Sequence, residues 1–439
     1  MATLLTAAAS AQDGPTDADG KPIPVYDPDS CKGDALISDE SLEGFAKQER
    51  NFKAALKESR LTPKMQESLE IGADYYAYIL TVPDKRAEAT SDVVEVLRYI
   101  DLFSTPESRE ELNALLTERL TEVLTQCEFA DRLAAVAFLS QLNETEYDTK
   151  TKTLPRPYWK AAYPLLAAME NPKETAAVKI TAAQGIGRVF SDARPPPNND
   201  DQIFRRTVGV LRAVLDGQMP AVNAGPHKDM LVVALVEALG RVDAPTTLNL
   251  QPIAVETLLR ILTDQGQSDF VRAAALHSLS TTPLPLDNRF NLQPIIEAQM
   301  QFLAEWLPRY NEDPKFWSNR WVIAYLYLAF KPATPEEVQA GDGWLQMIET
   351  PAFRSAGTPV QGAFEVVKPI FQAVVSKRPL DQEKIAEDRV AAVAEWIEKN
   401  AKGNAVHPQI GKLEFRPADG AENGAANAAA QAGEATARN

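Results

Sequence analysis

The sequence predicts an all-α protein assembled from repeated pairs of helices. Between Leu42 and Ala401 apolar residues recur at helical spacing almost without a break. No alternating strand pattern bounded by hairpin turns interrupts them. Four segments also align with one another without gaps, and self-similarity at that spacing is the signature of a repeat architecture. The length agrees, because a single core stops growing near about 250–300 residues and this chain has 439.

Taken in order, Met1–Gln12 (MATLLTAAASAQ) ends in Ala9-Ser10-Ala11, a small-x-small pattern that signal peptidase accepts. It lacks a positive leader, so residues 1–12 read as a signal-peptide remnant whose start lies upstream; an ordinary frayed terminus is the alternative. The first reading implies export to a periplasmic or extracellular space, the second a cytoplasmic protein. Residues 13–41 read as a flexible acidic leader, since the first fifty residues carry ten acids against four bases. Ser91–Cys127, with Leu112, Leu116, Leu120 and Val123 in helical register, suits the N-terminal cap of a helical stack.

The aligned segments follow: Asp131–Leu142, Val178–Val189, Leu231–Val242 and Val271–Thr282, with a weaker fifth copy at Arg320–Lys331. Their equivalent apolar positions are Leu139, Ile186, Leu239, Leu279 and Leu328, spaced 47, 53, 40 and 49 residues apart. Ala182, Ala183, Ala274 and Ala275 allow two helices to approach closely, and the following Leu or Ile fills the space between repeats. Gly187 and Gly240 are expected where a missing side chain permits tight packing or a turn. Amphipathic partner helices are expected upstream, at Tyr158–Met169, Ile203–Leu215 and Pro252–Leu262, with Thr175, Asp229 and Ser268-Asp269 in capping positions before the second helices. Val390–Ile397 reads as a final helix, and residues 402–439, rich in Ala and Gly, as a disordered tail.

The V-K/R-x-x-A-A-x-x-L/I-G-x-V pattern in these segments resembles the HEAT repeats of armadillo-like α-solenoids. The likeness is strong over residues 129–331 and weak over 42–401. It implies a right-handed superhelix of stacked antiparallel helix pairs and is nearly silent on activity. Asp131, at an apolar position, and Leu231–Val233, without the basic second residue, depart from the pattern.

Composition narrows the chemistry. A net charge of −16 repels phosphate backbones, which argues against a nucleic-acid partner. No apolar run is long enough for a membrane-spanning helix. Cys31 and Cys127 sit in different settings and make no disulfide framework, while His227, His277 and His407 lie in different elements without metal-ligand spacing. No nucleophile signature or phosphate loop is present, and Gly185-Ile186-Gly187 falls inside a helix pattern with no strand before it. No cofactor and no metal is therefore expected, and His277 reads as a partly exposed structural residue.

Three groups of residues remain as candidates for a site. Arg132, Lys179 and Arg272 occupy matching positions and, with Arg188 and Arg241, either line an anion-binding groove or form a ladder with acids such as Asp229 and Asp269. The links Asp192–Asp201, Asp243–Leu250 and Thr281–Asn291 would emerge on one edge of a solenoid, bringing Arg194, Asp200, Asp201, Asp287, Arg289 and Phe290 to a shared partner surface. Aromatic residues crowd between Phe302 and Trp344. Spacing such as Trp317–Trp321–Tyr325 fits a bulky core seam, whereas an exposed subset holding Trp317 and Trp321 would mark a docking site. The function expected is a non-enzymatic scaffold that binds a protein partner through its curved surface, its inter-repeat loops or its aromatic-rich C-terminal repeats. The competing class is an α/α-toroid hydrolase or lyase with loop carboxylates among Asp192, Asp200, Asp201, Asp342 and Glu349.

Overall fold

The computed structural model describes residues 15–28, 35–126, 128–145, 148, 150, 153–193, 195–219, 226–242, 253–282, 292–330, 343–351 and 353–400. Among them are sixteen α-helices and, in place of strands, three isolated bridges. The fold is all-α. Its contacts divide the chain into two compact units, Met1–Asp243 and Ala244–Asn439.

Unit 1 opens with α1 (Asp39–Ala55) and α2 (Pro63–Tyr78), each started by a hydroxyl cap: Ser38 Oγ accepts from Ser41 N–H and Thr62 Oγ1 from Met65 N–H. The two helices pack through Phe45 and Phe52 of α1 against Tyr75 and Tyr76 of α2. The expected single segment at Ser91–Cys127 is two helices, α3 (Arg86–Phe103) and α4 (Pro106–Gln126). Pro106 forces the break, since the residue before a proline is driven out of the helical region. Thr105 N–H and Ser108 Oγ both donate to Leu56 O beyond the end of α1, fixing the junction.

The expected repeats follow as α5 (Phe129–Leu139), the pair α6 (Ala162–Glu170) and α7 (Ala176–Asp192), and the pair α8 (Pro197–Leu215) and α9 (Pro226–Gly240). The contacts have a repeating logic. α4, α6 and α8 each touch the next in that series, and α5, α7 and α9 do likewise, while α4·α5, α6·α7 and α8·α9 close each pair. Leu139, Ile186 and Leu239 are all buried between them, as are Ala182 and Ala183. Three helix starts lie several residues from expectation, and α6 begins at Ala162 after a short 3-10 turn at Trp159–Ala161 where Tyr158 was expected. α8 starts at Pro197, because a proline at the first turn costs no hydrogen bond and its fixed φ favours the helix. α9 starts at Pro226, which puts Asp229 inside its first turn and not ahead of it.

Unit 2 contains α10 (Ile253–Thr263), α11 (Asp269–Thr281), α12 (Gln293–Glu312), α13 (Asn319–Leu328), the short α14 (Trp344–Met347), α15 (Gly357–Val375) and α16 (Glu387–Asn400). Ser268 Oγ accepts from Val271 N–H and caps α11 as expected. α10·α12 and α11·α13 repeat the pattern of unit 1, and Leu279, Ala274 and Ala275 are fully buried. In the last pair the order is exchanged: α15 lies beside α13 and α16 beside α12. Leu328, the weakest of the five aligned positions, is only half-buried.

Close approach depends on glycine at specific points. A Cβ on Gly185 would fall 2.3 Å from Ser140 Oγ and 2.8 Å from a methyl of Leu165, and one on Gly187 would fall 3.2 Å from Ala238 Cα in α9. The two glycines therefore sit mid-helix as spacers, where the usual cost of about 1 kcal/mol for glycine in a helix is offset by α7 seating on its neighbours. Gly209 in α8 is exposed, and a Cβ there would have nothing within 4 Å. We expect Gly187→Leu to lower stability by about 1–3 kcal/mol through overpacking, and Gly209→Ala to raise it by roughly 0.5–1 kcal/mol. Thermal unfolding of the two variants beside wild type checks both signs.

Candidate functional site

The basic residues at matching repeat positions are inside the protein. Arg132 forms a two-pronged pair with Glu174, Nε to Oε2 and Nη2 to Oε1 both at 3.1 Å, and the two side chains are 3% and 1% exposed. Lys179 is fully buried and donates to the carbonyls of Met169 and Asn171 at the end of α6. Arg272 does the same ten residues back, donating from Nε to Leu262 O near the end of α10, and reaches Glu305 with Nη2 at 2.8 Å. Lys179 and Arg272 therefore satisfy carbonyls that the last turn of a helix leaves without partners. Arg188 Nη1 donates to Ser140 O just past α5, and Arg241 is exposed after α9. Of the five, Arg132 and Arg272 pair with acids, Glu174 and Glu305, where Asp229 and Asp269 were expected; Asp269 is 4.0 Å from Arg272 and is held chiefly by Arg309 at 2.6 Å.

Two of the six loop residues are described. Asp200 and Asp201 lie within α8, not in a link, and Asp201 Oδ2 accepts from Arg205 Nε one turn on at 2.6 Å. That i,i+4 pairing is ordinary for an exposed helix face. Arg194, Asp287, Arg289 and Phe290 lie outside the described residues, as do Cys31, Cys127, His407 and Asp342. Asp192 ends α7, and Glu349 is exposed in the turn after α14. His227 is exposed in the first turn of α9; His277 is half-buried with its ring 5.4 Å from that of Tyr325. No three His, Cys, Asp or Glu side chains among the described residues are grouped to hold a metal ion.

The aromatic region splits into core and surface. Trp306, Trp344, Phe302, Tyr310 and Phe330 are buried, and the indoles' polar atoms are matched: Trp306 Nε1 donates to Asn319 Oδ1 and Trp344 Nε1 to Gln299 Oε1. Phe316, Trp317 and Trp321, by contrast, are 52%, 53% and 56% exposed. Trp317 lies in the turn before α13 and Trp321 in its first turn, while Tyr325, one turn further along α13, is buried. The Trp317 ring leans edge-on against Phe270 of α11 at 5.4 Å, so its orientation is set by the core although half of it meets solvent. Helical spacing alone does not separate these two fates.

Sequence reasoning missed one feature. Within the leader, residues 15–28 form an arm seated on unit 1. Ile23 is buried, the Arg132 guanidinium stacks 3.5 Å from the centre of the Tyr26 ring, Asn171 Nδ2 donates to Tyr26 O, and Lys173 pairs with Asp27. A Pro- and Asp-rich composition gives no sign of this, since the arm docks through one apolar side chain and one ring on partners about 100 residues or more away.

No family model matches the chain, and neither a search of curated proteins nor one of solved structures finds a significant relative.

Burial lowers the pKa of Lys179 from 10.5 to about 8, opposed in part by the charges of Glu174 and Glu170. Between those two values the unfolded chain holds a proton that the folded one has released, so this group's contribution to stability rises with pH. We expect the difference in unfolding free energy between wild type and Lys179→Met to grow in favour of wild type from about pH 8 to about pH 10.5, by up to about 3 kcal/mol. Urea unfolding of both proteins across that range measures it, and parallel pH profiles would refute it.

Proposed function

We propose that the chain is a non-enzymatic helical-repeat scaffold of the HEAT type that binds a protein partner through the exposed rings at the start of α13 and in the turn before it. In this reading the antiparallel pairs continue as a right-handed superhelix, and recognition resides in side chains mounted on it. The observation that carries the proposal is the half-exposure of Phe316, Trp317 and Trp321 beside a region whose other tryptophans are fully enclosed. Large rings left in water cost free energy in the isolated protein, and indoles are over-represented among residues that dominate binding energies. Helix packing supports a rigid platform, because Phe270 of α11 packs against both Trp317, in the turn before α13, and Tyr325 within it.

The partner that suits this face is a peptide segment with apolar or proline side chains flanked by Lys or Arg. The rings favour flat apolar contact. Exposed Glu312 and Asp313 precede them, with Lys315 between, and the net charge of −16 favours a basic partner over an acidic one.

Selection of peptides from a random display library on the full-length protein tests the idea directly. We expect enriched sequences with an apolar centre and basic flanks, a blue shift of tryptophan emission on binding, and at least about a 30-fold loss of affinity in Trp317→Ala/Trp321→Ala, the size of a hot-spot truncation. Circular dichroism of the double variant should match wild type. Enriched peptides that bind the folded double variant as well as wild type would place the site elsewhere.

A further inference from the structure

Unit 1 holds a second feature that owes nothing to the rings near α13: the seat on which residues 15–28 lie. We propose that this seat is a preformed binding site for an extended acidic segment, and that the arm is its displaceable occupant within the chain. The partner that competes for it is a segment with an aliphatic side chain three residues before an aromatic ring and an acid directly after the ring, the pattern of Ile23, Tyr26 and Asp27.

The body offers donors and the arm acceptors. Asn171 Nδ2 donates to Tyr26 O at 2.8 Å, Arg206 Nη1 to Thr16 O at 3.4 Å, and Lys173 Nζ pairs with Asp27 at 2.9 Å. The Arg132 guanidinium presents its flat side to the Tyr26 ring. Charge agrees, since residues 15–28 hold three Asp against one Lys.

These donors are fixed by partners other than the arm. Glu174 grips Arg132 in two places, and Glu170 grips Arg206 likewise, Nε to Oε1 and Nη2 to Oε2 at 2.8 Å each. Asn171 Oδ1 accepts from Lys173 N–H at 3.0 Å, which turns Nδ2 toward the arm, and the Asn171 carbonyl is held by Lys179. Polar groups locked in this way lose little freedom when a ligand arrives, which is the mark of a built recognition site.

The occupant, by contrast, is held thinly. Ile23 is the one fully buried side chain among residues 15–28, and the Lys173–Asp27 pair is 55% and 47% exposed, so it adds little. Tyr26 supplies the main grip by covering Arg132. A segment attached at so few points opens at a lower free energy than the whole domain. A partner of the same pattern then binds the vacated seat, with an apparent affinity reduced by the fraction of time the arm is in place.

The test uses a fluorescent synthetic peptide of residues 15–28, a scrambled peptide of the same composition, and the full-length protein with and without Tyr26→Ala. Tyr26 lies outside the helices, so circular dichroism of the variant should match wild type. Hydrogen exchange over the arm should be faster in the variant, and the peptide should bind it saturably and at least about tenfold more tightly than wild type, whose arm competes. Adding Asn171→Ala should weaken the peptide by about two- to tenfold, the size of one hydrogen bond, and excess peptide should speed exchange of the wild-type arm. Arm exchange that Tyr26→Ala leaves unchanged, no saturable binding to the variant at millimolar peptide, or equal binding of the scrambled peptide would overturn the proposal.

Discussion

A helix that ends inside a stack leaves its last carbonyl oxygens away from water, and this protein answers that constraint with buried cations. Lys179 serves the end of α6 and Arg272 the end of α10, each from the helix that follows and each ten residues downstream. Arg109 donates to Ser104 O across the α3–α4 junction, and Arg320 reaches the carbonyls of Val375 and Lys377 at the end of α15. Without such donors the turn between paired helices would carry unsatisfied acceptors in the core, at a cost of about 1–3 kcal/mol apiece. The tight turn in turn sets how the two helices face each other, and hence where the apolar stripe of each pair meets the next. Burying a lysine is itself unfavourable, so the position is occupied only because those carbonyls need a donor.

Close contact between successive helices is the second requirement, and it is met by absence of side chains. Gly187 opposite Ala238 and Gly185 opposite Ser140 and Leu165 bring α7 against α9, α5 and α6 at once. Helices this near have little freedom to slide, which keeps buried pairs such as Arg132 and Glu174 in register. That pair in turn supports the arm, since Tyr26 lies on the guanidinium whose edge Glu174 holds. Loss of one partner from so enclosed a pair typically costs about 3–5 kcal/mol, and here it would also loosen the seated arm.

The exposed features differ between the units. In unit 2 they are a set of rings whose anchoring is internal and whose faces are external. In unit 1 the feature is a docked terminal segment that covers a row of fixed donors.

Much of this architecture was legible in the order of residues. Apolar spacing located α5 to α11, α13 and α16 and left α1, α2, α12, α14 and α15 undivided within the helical stretch 42–401, while the ungapped alignment placed Leu139, Ile186, Leu239 and Leu279 in the core and Ser268 marked a helix start, because periodicity and capping are local properties that a chain carries in any context. The basic residue at the second position of three of the copies was visible too, as a choice between groove and ladder. What the sequence could not decide is which of several similar residues faces outward: Trp306 and Trp317 have the same chemistry, and only the packing of α11, α12 and α13 encloses one and exposes the other. The exchanged order of α15 and α16 and the seating of residues 15–28 are likewise set by contacts between segments far apart in the chain, where no local pattern records the partner.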